Sequence, residues 1–116
     1  MDQQARSSDL AYAKQLAGLA PREGSAFLAL KASAERADGQ IPEKYRELIS
    51  VAVALTTQCG YCIEAHVGNA RRAGASAEEL AETVFIVAAL RAGAAVGHGL
   101  MALRVFEEAG EAGAAS

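Results

Sequence analysis

Apolar residues recur at three- and four-residue intervals along most of the chain, separated by short polar breaks, which is the periodicity of helices packed on one face. Residues 10–19 carry this spacing, and Ala20-Pro21 ends the segment because the residue before a proline avoids the α region. A second helix is expected over residues 24–35, with Phe27, Leu28 and Leu30 as its inward edge and Asp38-Gly39 marking the next turn. Pro42 suits the first turn of a third helix, where a missing N–H costs nothing. There Tyr45, Leu48, Ile49, Ala52 and Leu55 keep the i, i+3, i+4 rhythm. The apolar run 48–55 would also suit a buried strand, but the polar lead-in 43–47 is a good helical first turn, and a buried helix is the reading adopted.

Residues 57–60 should reverse the chain. A fourth helix then covers residues 61–73 and ends with Gly74 in the position after the cap, where glycine takes up the left-handed conformation readily. Ser76 and Glu79 have the spacing of a capping box and open a helix reaching at least Leu90. Gly93, Gly97 and Gly99 leave open whether that helix continues or restarts before residues 100–108. Residues 1–9 and 110–116 read as mobile ends, and the whole chain 1–116 as a single domain.

Composition sharpens this picture. Alanine supplies 28 of 116 residues and aromatics are few, which favours closely packed helices over strands. The fold class is therefore all-α, with about five to six helices. So few large side chains make a lean core, and association between copies through the Ala- and Gly-rich helices is expected. A net charge of −3 with scattered Lys and Arg offers no basic stripe for nucleic acid. The first ten residues lack the apolar stretch of a signal peptide, and no run approaches 18 uninterrupted apolar residues, so a soluble, cytoplasmic protein with no membrane partner is expected.

In a reducing compartment the two cysteines, Cys59 and Cys62, are better explained by catalysis or metal binding than by a structural staple, since the loop they would close is too short to stabilise much. At 100° per residue Cys59, Cys62 and His66 share one narrow stripe of a helix, with His66 one turn from Cys62. If the bend between the third and fourth helices centres near residues 56–58, Glu47 and His66 are about equally distant from it and lie side by side. The carboxylate could then orient the imidazole, giving a relay from Glu47 to His66 to Cys62. A free thiol with pKa about 8.5 is only a few per cent ionised at neutral pH, so a neighbouring imidazole and a helix N-terminus decide its reactivity. A thiolate that attacks a peroxide becomes a sulfenic acid, which the other thiol can condense with to form a disulfide. Cys62, nearer the base, is read as the attacking thiol and Cys59 as the resolving one, the opposite order being nearly as well supported.

A glutamate, eleven residues, then C-x-x-C-x-x-x-H is met at every position by Glu47, Cys59, Cys62 and His66. In this the chain resembles the AhpD-like alkylhydroperoxidase family, within the carboxymuconolactone decarboxylase fold group, over roughly residues 42–98. The resemblance implies an all-α subunit with Glu47, Cys59, Cys62 and His66 as catalytic residues. It further implies hydroperoxide or disulfide substrates and a dithiol reductant such as a thioredoxin-like or lipoyl-bearing protein. No metal or organic cofactor is implied, and assembly into dimers, trimers or hexamers is. Some members carry a histidine just before the second cysteine; here that position is Tyr61, which can still hydrogen-bond.

Competing readings exist for each feature. Zinc would need Cys59, Cys62 and His66 as ligands, with or without Glu47, and no second C-x-x-C is present to complete a common structural site. A thioredoxin-like domain would need strands alternating with helices and a proline after the motif, yet Pro21 and Pro42 both precede it. His98, between two glycines, is better read as a packing residue than as part of a pocket. At the level of function, the alternatives are a lactone decarboxylase with His66 as acid or base, and a redox-sensing helical binding protein without turnover.

Overall fold

The helices form where the pattern puts them, and their ends are set by local chemistry. The computed structural model describes residues 7–115; the expectations for residues 1–6 and Ser116 lie outside them. Among the described residues there is no strand. A 3-10 turn over Ser7–Tyr12 leads into α1 (Ala13–Leu19), which stops at Ala20. α2 (Pro21–Ala34) begins three residues earlier than expected because Pro21 occupies its first turn. Its N-terminal part crosses α1 so closely that a Cβ on Gly24 would meet the backbone of Ala17 at 2.6 Å. Pro42 proves to be the residue capping α3 (Glu43–Thr57), its carbonyl accepting from the N–H groups of Tyr45 and Arg46.

Two left-handed residues shape the hairpin that follows. Gln58, at φ 58°, terminates α3, and the chain turns at once into α4 (Gly60–Arg72). Gly74, at φ 98°, ends α4 with the paired bonds of a Schellman motif, Ala75 N–H to the Ala70 carbonyl and Gly74 N–H to that of Arg71. Ser76 and Glu79 then form the expected capping box: the Glu79 N–H donates to Ser76 Oγ at 3.0 Å, and the Ser76 N–H to Glu79 Oε1 at 2.9 Å.

Glu79 also receives Lys44 Nζ at 2.9 Å, tying the start of α5 to α3. The Ser76 backbone N–H, aided by Lys44, holds the Glu79 carboxyl below its ordinary value, and the bond to Glu79 holds Lys44 above its own. A depressed carboxyl contributes stability that is present above the ordinary carboxylate range and lost as pH falls through the folded value. Glu79→Gln should therefore lower the melting temperature at neutral pH and leave it nearly unchanged at about pH 3. Parallel melts of the two proteins check this; equal losses at both pH values would contradict it.

α5 (Ala77–Ala115) runs unbroken for 39 residues. The glycines at 93, 97 and 99 neither stop nor restart it, and residues 110–115, expected as a tail, extend the helix. Arg91 Nη1 donates to the Leu55 carbonyl at 3.4 Å and helps keep α5 against α3.

The core is small. Leu48, Val51, Ala54, Ala70 and Val87 are its buried apolar residues. On α3 the buried stripe is Glu47, Leu48, Val51 and Ala54, so the expected stripe is rotated by about one residue and Tyr45 and Ile49 are half exposed. Phe27, Leu28 and Leu30, expected to face inward, are also more than half exposed. The reason is visible in the layout: among the described residues, no Cα of α2 comes within 8 Å of one in α3 or α4. Along α5, Phe85, Ile86, Leu90, Val96, Leu100 and Phe106 stand in the open. The radius of gyration is 20.3 Å, against about 13 Å for a compact chain of this length. Residues Ala77–Gly113 include an 18-residue window of mean hydropathy 1.6, long and apolar enough by those measures to cross a membrane.

Candidate active site

The αL turn at Gln58 folds α4 back along α3, and residues equidistant from the bend become neighbours. Glu47, twelve residues before Cys59, thus lies beside His66, with Oε2 2.6 Å from Nδ1. Glu47 is only 6 % exposed, and a carboxylate that buried requires a partner. His66 supplies it.

Cys59 is the N-cap of α4. It is extended (φ −89°, ψ 100°), and its sulfur accepts the N–H of Cys62 at 3.3 Å, in the place a Ser or Asp oxygen commonly takes. Cys59 and Cys62 are joined as a disulfide, with their Cα atoms 5.3 Å apart. The positive end of α4 lies over this pair. Tyr61 turns away from the sulfurs, its hydroxyl donating to the Asp9 carboxylate at 2.5 Å.

Between α2 and α3 a groove of about 310 Å³ opens onto the site. Phe27, Leu30, Ile49 and Val53 are among its apolar lining residues, and Cys62 and His66 line it too; Cys59 does not. Arg46 bridges the gap, donating to the Ala34 carbonyl at 2.8 Å and to that of Ile41 at 3.3 Å. It thereby fixes the C-terminal end of α2.

The site contains a residue that the sequence did not bring forward. Glu35, the C-cap of α2, places Oε1 3.2 Å from His66 Nε2, so both ring nitrogens face carboxylate oxygens. Lys31, one turn earlier, lies 2.5 Å from the other Glu35 oxygen. One signal was available. A carboxylate at the negative end of a helix is locally unfavourable, and such conflicts gather at functional places.

The four residues expected at the site are brought together: Glu47 on His66, and His66 one helical turn from Cys62, which is bonded to Cys59. Among the described residues no three His, Cys, Asp or Glu side chains are arranged to hold a metal ion. His98, on the outer part of α5, is exposed and does not line this groove.

A family model described as the carboxymuconolactone decarboxylase family matches residues 21–105, nearly three quarters of the chain. The chain belongs to the carboxymuconolactone decarboxylase family. The match begins at the start of α2, well before the residues on which the sequence resemblance rested, and so includes Glu35 and the groove wall. A protein of Paracoccus denitrificans called uncharacterized protein 4 in cox locus is 48 % identical over 83 residues, covering 72 % of this chain and 74 % of its own length. An uncharacterized protein of Cupriavidus necator is 33 % identical over 87 residues, covering 75 % and 76 %. The crystal structure of an apo carboxymuconolactone decarboxylase family protein from Legionella pneumophila superposes with a TM-score of 0.66 at 29 % identity, over 88 % of this chain and 91 % of that one. The all-α architecture is therefore that of a solved member of the family.

Proposed function

We propose that this family member is a thiol-dependent oxidoreductase that reduces organic hydroperoxides and cycles between a dithiol and the Cys59–Cys62 disulfide. The observation that carries this reading is the buried Glu47–His66 pair, one helical turn from a cysteine that lines an apolar groove. A carboxylate bonded to one ring nitrogen fixes the orientation of the imidazole, which lines the same groove as Cys62.

The chemistry runs in two steps. The Cys62 thiolate attacks the terminal oxygen of R–OOH; a sulfur–oxygen bond forms, the O–O bond breaks, and the alkoxide leaves as R–OH with a proton from His66. Sulfur is oxidised to the sulfenic acid and the peroxide is reduced to the alcohol. The Cys59 thiol then attacks the sulfenic sulfur and water leaves as the disulfide forms. A dithiol reductant restores both thiols by exchange. Cys62 is assigned the attack because it lines the groove and Cys59 does not.

The family name also supports a decarboxylase reading, in which His66 is acid or base and the sulfurs are bystanders. Turnover of a carboxymuconolactone that survives replacement of both cysteines by serine would favour it. For the peroxidase reading, reduced protein supplied with an organic hydroperoxide and excess dithiol should consume the peroxide and release the alcohol in equal amount over many turnovers. Consumption no faster than with the dithiol alone would overturn it.

We further propose that the working form is a cytoplasmic assembly of two or more copies. A helix apolar on most of its circumference is a buried helix. The Ala- and Gly-rich part of α5 lets another helix approach closely, while Arg91 and His98 in the same stretch would be disfavoured in lipid.

A further inference from the structure

We propose that the groove lined by Cys62 and His66 is completed by a second copy of the chain, whose outer α5, from Val96 to Phe106, lies along the outward face of α3 and roofs it. The inference rests on the proposed assembly of copies and adds where a helix of one copy seats on another.

The register of the helices places the donor segment. Lys44 bonds to Glu79 near the start of both helices, and Arg91 donates to the Leu55 carbonyl near the end of α3, so α3 and α5 run parallel and in step. α3 ends at Thr57, and beyond Arg91 α5 projects past the bend that carries Cys59. Residues 92–106 make a stretch as long as α3, about 22 Å. Among the described elements only α3 has Cα atoms within 8 Å of α5. Val96, Leu100 and Leu103 follow helical spacing along the projecting part, and each is more than half exposed. An apolar helix reaching beyond its own subunit calls for a receiving surface on another.

The same chain offers that surface. Two apolar grooves adjoin on α3: the one lined by Cys62, and one of about 380 Å³ between α3 and α5, lined by Tyr45, Ala52 and Ile86 among others. Ile49 lines both. Ile49 and Val53 are one turn apart and half exposed, so the apolar surface runs from Phe27 and Leu30 on α2 across α3 to Ile86 on α5. A helix laid into a groove of this kind is a recurrent mode of recognition.

The areas agree with it. The subunit exposes 9051 Å², whereas a compact monomer of 12.0 kDa exposes about 6,000 Å². The excess is several times the roughly 800 Å² that each partner gives to a standard contact, and matches the size class of obligate assemblies. Pairing α5 only with another α5 would leave Phe27, Ile49 and Val53 bare. Seating α5 on α3 covers both surfaces at once, and it turns an open groove beside Cys62 into one closed to bulk water.

Phe27 and Phe106 are each replaced by p-benzoylphenylalanine, which keeps the aromatic ring, in mixtures of isotope-labelled and unlabelled full-length copies irradiated without detergent. Linked peptides of mixed isotope content should join position 27 to residues 92–106, and position 106 to α2 or α3. Linkage of position 106 only to another α5 would leave the assembly standing and overturn this seating. Linkage only within one copy, only to lipid, or none from either position would overturn it as well. Access to sulfur gives a second reading, independent of peroxide turnover. The rate at which a bulky maleimide alkylates reduced Cys62, divided by the rate for iodoacetamide, cancels the ionisation of the thiol. In Leu100→Glu/Leu103→Glu, whose changes lie far along α5 from their own groove, this ratio should rise severalfold while the circular dichroism stays helical; an unchanged ratio would contradict a roof supplied by the partner.

Discussion

Cys62→Ser should abolish catalysed hydroperoxide turnover, lowering it by about a thousandfold or more, because the nucleophile itself is gone and nothing else in the groove can accept the peroxide oxygen. Cys59→Ser should fail differently. The attacking thiol remains, so one equivalent of peroxide should still be consumed and should leave Cys62 as a sulfenic acid, trappable with dimedone, after which the cycle stalls for want of a resolving thiol. The contrast assigns the roles. If Cys59→Ser abolishes even the first equivalent while Cys62→Ser retains it, the order of attack is reversed; if both retain full turnover, the dithiol is not the reacting group. The reversed order is not idle, since Cys59 occupies the N-terminus of α4, where the helix field also favours a thiolate. What sets Cys62 ahead is access: it shares the groove with His66.

The second large effect concerns α5. An isolated subunit leaves Phe85 72 % and Leu100 70 % exposed, and among the described residues only five apolar side chains are buried, too few to stabilise a chain of this length by themselves. If copies of the chain cover that helix, each such side chain contributes about 1.5–3 kcal/mol on burial, and a charge in its place adds the cost of desolvation. The double substitution Phe85→Glu and Leu100→Glu should convert a multimeric wild type to monomer in sedimentation and lower its melting point by many degrees. A wild type that already sediments as a monomer without detergent would contradict the assembly. A wild type that stays in solution only with detergent would instead assign the helix to a lipid environment.

The candidate site was legible where local rules add up. The spacing of Cys59, Cys62 and His66 fixes a stripe on one helix whatever surrounds it, and Glu47 could be placed opposite His66 because a tight bend pairs residues equidistant from it. The capping box at Ser76 and the glycine stop at Gly74 are likewise contained within a few residues. Glu35 was not legible, because its position depends on how residues 35–42 carry the chain from α2 to α3, and that path is set by Arg46 reaching back to two carbonyls. The inward edge assigned to Phe27, Leu28 and Leu30 failed for a related reason: amphipathic spacing says that a face is to be covered, not by what. On α5 the glycines suggested a break, but each costs only about 1 kcal/mol relative to alanine, and with no proline after Pro42 the Ala-rich neighbours carry the helix through.

The proposed chemistry depends most on the Glu47–His66 pair making a thiol reactive. The rate of alkylation of the reduced protein, followed against pH in wild type, Glu47→Gln and His66→Gln, measures this without reference to any substrate. Both substitutions should move the reactive thiol's midpoint upward toward the value of about 8.5 for a free cysteine, His66→Gln by more. If all three proteins are alkylated with the same midpoint, the buried pair plays no part in activating sulfur and the proposed chemistry fails with it.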